Sequence, residues 1–470
     1  MTTAATTRTS DASRKPAASY GLELSDLLYP MTPEEFTGLY WGRQPVFIKG
    51  SPDKLEKLFP GGFNREDFVR AVHDSVASKA KGFVLYGVKG QSPETPESVS
   101  SKGTHLIEPE EIDETLANGE SVTVTSLREE RLVRFASAIK AQLNHAGEIT
   151  LDSSLSPPRR GFPSHIDPIS NIFIQTEGRK SYWVSQKPVL QWPRANALIT
   201  RDGQGVYVEH SAEEWEEITD ADQYSLIEIV MEPGDMLYIP AGTIHPTKSH
   251  DEYSLNVILI FRHANFLDLV NQALVERLAP NPAWRHLPHV CMTGTGGGEP
   301  PEEARAFFAE RLIELREVVN ALTQESFALN RHWHKMIADP GEVTRASLSL
   351  TSSKEEERPV ERQDVLRLSR KAPVTFATGV DEEGVPHMSL FFADKEISVG
   401  GEWTPFLQNL VDKDEFTAES ATQWSGASEG YPWETVQEYL QALLDQNIIE
   451  RAAHNLIYRI FHDSTQCAKS

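Results

Sequence analysis

Cysteine is almost missing from this chain: only Cys291 and Cys467 occur among 470 residues. Two thiols that far apart supply neither a disulfide framework nor a cysteine zinc site, and they suit a reducing, cytoplasmic compartment. Long apolar runs are missing as well. Nothing approaches the roughly 18 consecutive apolar residues of a membrane span, so no membrane association is expected. Residues Met1 to Ala18 are rich in Thr, Ser and Ala and lack the apolar stretch of about 7–15 residues that marks a secretory signal. They read as a disordered tail over residues 1–20. Positive charge is scarce: 45 Lys and Arg stand against 69 Asp and Glu, a net charge of −24. Such a surface repels phosphate backbones, which makes nucleic acid a poor partner, while a basic protein segment would be drawn to it.

What remains is an ordinary globular composition, 39% hydrophobic and 24% charged, at a length that suits two or three domains of about 100–200 residues. Order begins near Leu22. Thr32-Pro33-Glu34-Glu35 carries the signs of a helix start, with Thr at the N-cap, Pro at the first helical position and Glu reaching back. Gln44 to Ile48 reads as a strand entry, Ser121 to Thr125 as an edge strand or turn, and residues 129–147 have helical spacing.

Between about 149 and 262 the pattern changes to short apolar runs, among them Ile172-Phe173-Ile174, Tyr182-Trp183-Val184, Met236 to Ile239 and Asn256 to Ile260. Pro and Gly turns separate them, the signature of an antiparallel sandwich or barrel. Helical spacing returns over Ala264 to Leu278 and from Glu302 to about Ile337. After a Ser/Glu-rich linker, a mixed region follows in which Thr435 to Leu444 and Ile448-Ile449 suggest a small winged-helix unit.

Chemistry concentrates in the β-rich middle. On a strand, His165 and Asp167 point to one face, so an imidazole and a carboxylate can converge. A third donor follows in Pro233-Gly234-Asp235 to Thr243-Ile244-His245, a turn, a short apolar strand, a second turn and a histidine. Two histidines and one carboxylate leave open metal positions, as non-haem Fe(II) requires when it must also take a cosubstrate and O2. Fifteen residues after His165 comes Lys180. Its ammonium can pair with a carboxylate deep in a barrel, such as the distal one of 2-oxoglutarate, or lie solvated in a hairpin turn with Arg179. Asn171 and Asn256 each interrupt an apolar strand, where an unpaired amide is costly. Each is either satisfied in the core or turned to the metal pocket. His332-Trp333-His334 has ligand-like spacing but no nearby carboxylate, and His286 and His289 flank Pro288 in a loop, so neither pair carries a metal reading.

The ordered set Ser156 to Asp167, Ile174 to Val184 with Lys180, and Pro233 to His245 resembles the JmjC ribosomal oxygenases, cupin-fold hydroxylases of ribosomal-protein side chains. Phe36, Tyr40-Trp41 and Pro45 to Ile48 resemble that family's entry helix and strand. The resemblance implies an α+β chain with a mainly β double-stranded β-helix core. Its catalytic domain would cover 21–262, a helical dimerisation region 263–345, a linker 346–362 and a winged-helix-like domain 363–470. It implies His165, Asp167 and His245 as iron ligands, Lys180 on the C5 carboxylate of 2-oxoglutarate, and Asn171 and Asn256 lining that pocket. Expected partners are O2, a protein or peptide substrate and a second copy of the chain. Departures fall at Pro168-Ile169-Ser170, at Ser181-Tyr182 and between Val184 and Glu232, around the family's substrate opening. The same chemistry on a peptide natural product or small molecule, and a non-catalytic cupin, are the alternatives. From Asp381 to Glu450 there are 15 Asp and Glu against 2 Lys and Arg, so the winged-helix-like region lacks the basic footprint of a DNA binder.

Overall fold

A computed structural model describes residues 24–452 apart from 80–81, 89–103, 200–204, 209–214, 218–224, 288–299, 325, 340, 342–357, 370–373, 381–383, 394 and 427–428. The expected tail, most of the linker and both cysteines lie outside the described residues. No described helix is long and apolar enough to cross a membrane.

The helix Pro33–Glu35, which follows a first helix Leu24–Leu28, begins where the capping signature placed it. The Thr32 hydroxyl accepts from the Glu35 N–H, and the Glu35 carboxylate accepts from the Thr32 N–H. Fifteen strands then build the centre: β1 Val46–Ile48, β2 Val84–Val88, β3 Thr104–Leu106, β4 Ser121–Thr125, β5 Gly147–Ser156, β6 His165–Ile166, β7 Ser170–Glu177, β8 Lys180–Ser185, β9 Ala197–Ile199, β10 Gly205–Val208, β11 Trp215–Glu217, β12 Leu226–Met231, β13 Met236–Ile239, β14 Thr247–Ser249 and β15 Ser254–His263. Eight of them form one antiparallel sheet in the order β1-β13-β7-β15-β5-β4-β2-β3. Smaller sheets β12-β8-β14 and β11-β10-β9-β6 complete the barrel-like core.

The large sheet is covered on both faces, which explains its near-continuous apolar runs. On β15, Leu255, Val257, Leu259 and Phe261 pack against Leu24, Phe36, Phe68 and Ile139 of the preceding helices. Its alternate residues Ile258 and Ile260 face Phe173, Leu237, Ile239 and, from β8, Tyr182 and Val184. Period-two alternation therefore sorts one strand into an outer and an inner apolar face. Against the expectation of an edge, β4 lies inside the sheet, paired with β5 on one side and β2 on the other. Its partner β2 lies in a stretch whose polar neighbours hid the strand.

Beyond the barrel, helices Phe266–Leu278, Glu302–Gln324 and Ser326–Ala338 follow the expected helical spacing. Residues 358–452 then close a separate apolar core of Leu366, Leu390, Phe406, Leu410, Val436, Leu440 and Ile449. Two three-stranded sheets and the helices Thr404–Asp412 and Trp433–Asp445 contribute to it.

Candidate active site

Two chain segments, around His165 and around His245, meet because their backbones are stitched together. The His245 N–H donates to the His165 carbonyl at 3.2 Å, and the Gly242 N–H donates to the Asp167 carbonyl at 2.9 Å. Gly242 must be glycine: its φ is +80°, and a Cβ would sit 1.7 Å from the Leu190 carbonyl oxygen. Gly161 is equally constrained, since a Cβ would meet the Thr247 carbonyl oxygen at 2.0 Å. That close approach lets Phe162 and Thr247 exchange two backbone hydrogen bonds, which seat the loop before His165.

The side chains of His165, Asp167 and His245 offer three donor atoms that all lie within 4.8 Å of one another. Among the described residues this is the one such group of three. Each histidine has its Nδ1 on a backbone carbonyl, His165 on Pro163 at 2.7 Å and His245 on Thr243 at 2.8 Å. A carbonyl can only accept, so both Nδ1 atoms carry the proton and both Nε2 lone pairs are left free. Those Nε2 atoms face the Asp167 carboxylate, at 3.9 Å for His165 and 3.3 Å for His245. Burial pushes the Asp167 carboxyl up, but the His245 and His165 imidazoles when protonated, together with the Asn171 amide, outweigh it and hold it well below the usual range. Burial, helped by His245, pushes His165 down to about 4. Two imidazole nitrogens beside a carboxylate, with no thiolate, are a donor set that fits a divalent cation such as Fe(II).

Lys180 is 1% exposed, and no carboxylate among the described residues pairs with it. Its ammonium donates to the Ser156 hydroxyl at 3.2 Å and lies 5.0 Å from the Phe162 ring centre and 5.9 Å from that of Tyr182. The hairpin-turn reading is thereby set aside, because β8 begins at Lys180 and turns it inward. Burial alone pushes its pKa down to about 7. Asn256 donates to the Tyr182 hydroxyl at 3.0 Å, and its Oδ1 has no partner. Asn171 does not reach toward Lys180 in this way; its amide donates to Asp167 Oδ2 at 2.8 Å.

Sequence reasoning passed over Ser156, Phe162 and Tyr182 as site residues. It also missed a wall of hydroxyls on the inner face, where Ser121 bonds Ser156 and Thr123 bonds Ser154. The period-two run Asp152, Ser154, Ser156 was the available signal. His332 instead meets Glu276, and His334 meets Thr375. His286 is exposed, and His289 lies outside the described residues.

Residues 128–269 match the JmjC domain family, so the chain carries a JmjC domain at the segment that builds this site. Three similar proteins set the neighbourhood. An uncharacterized protein YxbC of Bacillus subtilis is 24% identical over 56% of this chain and 78% of its own length. Ribosomal oxygenase 1 of Gallus gallus is 26% identical over 62% of this chain and 46% of its own length. A bifunctional lysine-specific demethylase and histidyl-hydroxylase of Drosophila mojavensis is 32% identical over 26% of this chain, and the match spans 13% of that protein. Among solved structures, the Escherichia coli ribosomal oxygenase YcfD in complex with cobalt and 2-oxoglutarate aligns at 17% identity and a TM-score of 0.43. That alignment covers 90% of this chain and 99% of that one.

Proposed function

We propose that this protein is an Fe(II)- and 2-oxoglutarate-dependent oxygenase that hydroxylates a side chain of a protein or peptide, with a ribosomal-protein-type substrate favoured. The observation that carries the reading is the pairing of the His165–Asp167–His245 cluster with a buried cation, Lys180, that has no carboxylate partner among the described residues. A buried unpaired ammonium is costly, and a ligand carboxylate relieves that cost. His165, Asp167 and His245 would hold the iron, and Lys180 with the Ser156 hydroxyl would hold the far carboxylate of 2-oxoglutarate. Bound there, Fe(II) supplies O2 activation coupled to decarboxylation of 2-oxoglutarate to succinate, the chemistry that inserts oxygen into a C–H bond.

The chain's own part is positioning and exclusion of water. Phe162, Phe173 and Tyr182 wall the space between Lys180 and His245, and the carbonyls of Pro163 and Thr243 fix the two imidazoles. Similarity to a ribosomal oxygenase and to a histidyl-hydroxylase supports a protein substrate. We further propose a cytoplasmic homodimer joined through the helices 266–324, where Phe266, Leu267, Val275, Leu312 and Ile313 are exposed. Incubation with Fe(II), 2-oxoglutarate and O2, followed by intact-mass analysis of candidate ribosomal proteins, tests the function. A gain of one oxygen atom on a protein supports it. Oxidation confined to small molecules or peptide natural products would move the substrate class, and succinate never formed with any substrate would leave a binding protein.

A further inference from the structure

We propose that Asn171 is a positioning residue that holds the Asp167 carboxylate to a single metal bond and so keeps a coordination position open for the cosubstrate. The inference rests on the reading of the site given above.

Asn171 stands where an apolar residue would pack most simply. It is 2% exposed, and in register it lies between Ile239 of β13 and Ile260 of β15, both in the inner apolar cluster. An amide there is only half satisfied, since its Oδ1 has no partner while its Nδ2 donates to Asp167 Oδ2 at 2.8 Å. Packing therefore does not account for the amide, and its side-chain hydrogen bond among the described residues goes to the carboxylate. That contact treats the two carboxylate oxygens unequally. Oδ2 carries the amide hydrogen bond and lies 3.3 Å from His245 Nε2, whereas Oδ1 lies 3.9 Å from His165 Nε2.

Carboxylates bind metals through one oxygen or through both. A hydrogen bond that occupies a lone pair of one oxygen opposes the two-oxygen mode. The distinction matters here because a facial triad serves this chemistry only while three positions remain for a two-toothed keto acid and O2. A carboxylate that took a second position would compete with the cosubstrate and leave metal binding itself intact.

The test uses the full chain, anaerobically, with Asn171→Leu, which keeps the approximate shape and removes the donor. Fe(II) affinity, 2-oxoglutarate affinity and the visible charge-transfer absorption of the Fe(II)–2-oxoglutarate complex are measured. Metal affinity should stay close to that of the parent protein. The dissociation constant for 2-oxoglutarate should rise about tenfold or more, the worth of one hydrogen bond to a charged group, and the absorption band should shift. Unchanged cosubstrate affinity with an unchanged band overturns the inference, and so does loss of metal and cosubstrate together, which would make Asn171 part of building the triad. If the parent protein binds neither Fe(II) nor 2-oxoglutarate, the site reading itself falls. Should Asn171→Leu fail to fold, Asn171→Thr and Asn171→Val, alike in shape and differing in a donor, carry the same comparison.

Discussion

The barrel and the region from 358 to 452 bury their polar groups in opposite ways. Inside the barrel, Lys180, Asn171, Asn256 and Gln175 are each almost fully buried, and the three amides each leave an oxygen without a partner. In the C-terminal region the interior is apolar, and charged groups pair at its margin: Arg358 and Arg451 on Asp364, Arg367 on Glu450. Among its described residues, a single buried side-chain atom, the Tyr439 hydroxyl, lacks a partner. Unmet polar groups cost stability, and a chain retains them where a ligand completes them. The difference sets a region whose buried amides have oxygens left unmet, which the proposed ligand site would explain, against a region whose buried polar groups, Tyr439 apart, are met within the chain.

The largest effect should come from removing a metal donor. His165→Ala or His245→Ala is expected to abolish Fe(II) binding and turnover, measured by anaerobic metal titration and succinate release. Full iron retention in both variants would erase the contrast between the two regions.

Lys180→Ala comes next. Loss of the buried cation leaves a ligand carboxylate unpaired at roughly 3–5 kcal/mol, so the 2-oxoglutarate requirement should rise about a hundredfold or more while iron still binds. An unchanged requirement would mean that the ammonium serves only the protein.

A smaller, graded effect follows from pH. Burial pushes Lys180 down to about 7, below its unfolded value of about 10.4. Above pH 7 Lys180 in the ligand-free protein is neutral and must take up a proton to pair with a bound anion, so 2-oxoglutarate affinity should fall about tenfold per pH unit. Calorimetry in buffers of different ionisation enthalpy reads that uptake, and Lys180→Arg, which does not titrate, should remove it. The ligand-free protein moves the other way. Its unfolded state binds the extra proton between pH 7 and about 10, so stability rises with pH in that window, a slope that Lys180→Met should lose.

The smallest effect on the site should come from the other region. Leu440 is fully buried in the C-terminal core, and Leu440→Ala should cost about 2–5 kcal/mol of that region's stability. Thermal melting should record the loss while Fe(II) and 2-oxoglutarate affinities stay unchanged. A loss of cosubstrate affinity would show that the two regions are coupled, with Arg331, which bridges Glu276 and Glu396, as the first place to look.

Much of the site was legible because its residues announce themselves by local rules. His165 and Asp167 come together as their spacing suggested, although β6 ends at Ile166 and Asp167 lies just past it; the Pro-Gly turns before His245 set its segment apart, and the Thr32 capping box formed as its residues dictate. Helices at 266–278 and 433–445 likewise follow from apolar periodicity. Other features depended on distant pairing. That β4 is internal was decided by β2, nearly forty residues earlier in the chain, and no local pattern encodes which strand will arrive beside another. Spacing left Lys180 between solvent and core, and only the closure of Ser156, Phe162 and Tyr182 around its ammonium resolved it. Asn171 and Asn256 looked alike as amides in apolar strands, yet one bonds Asp167 and the other Tyr182. The sequence by itself determined which residues can do chemistry and on which face of a strand they stand, because side-chain direction is a local property of the backbone. The tertiary structure decided which of them meet, and which are left buried without a partner, because those depend on strand order and burial.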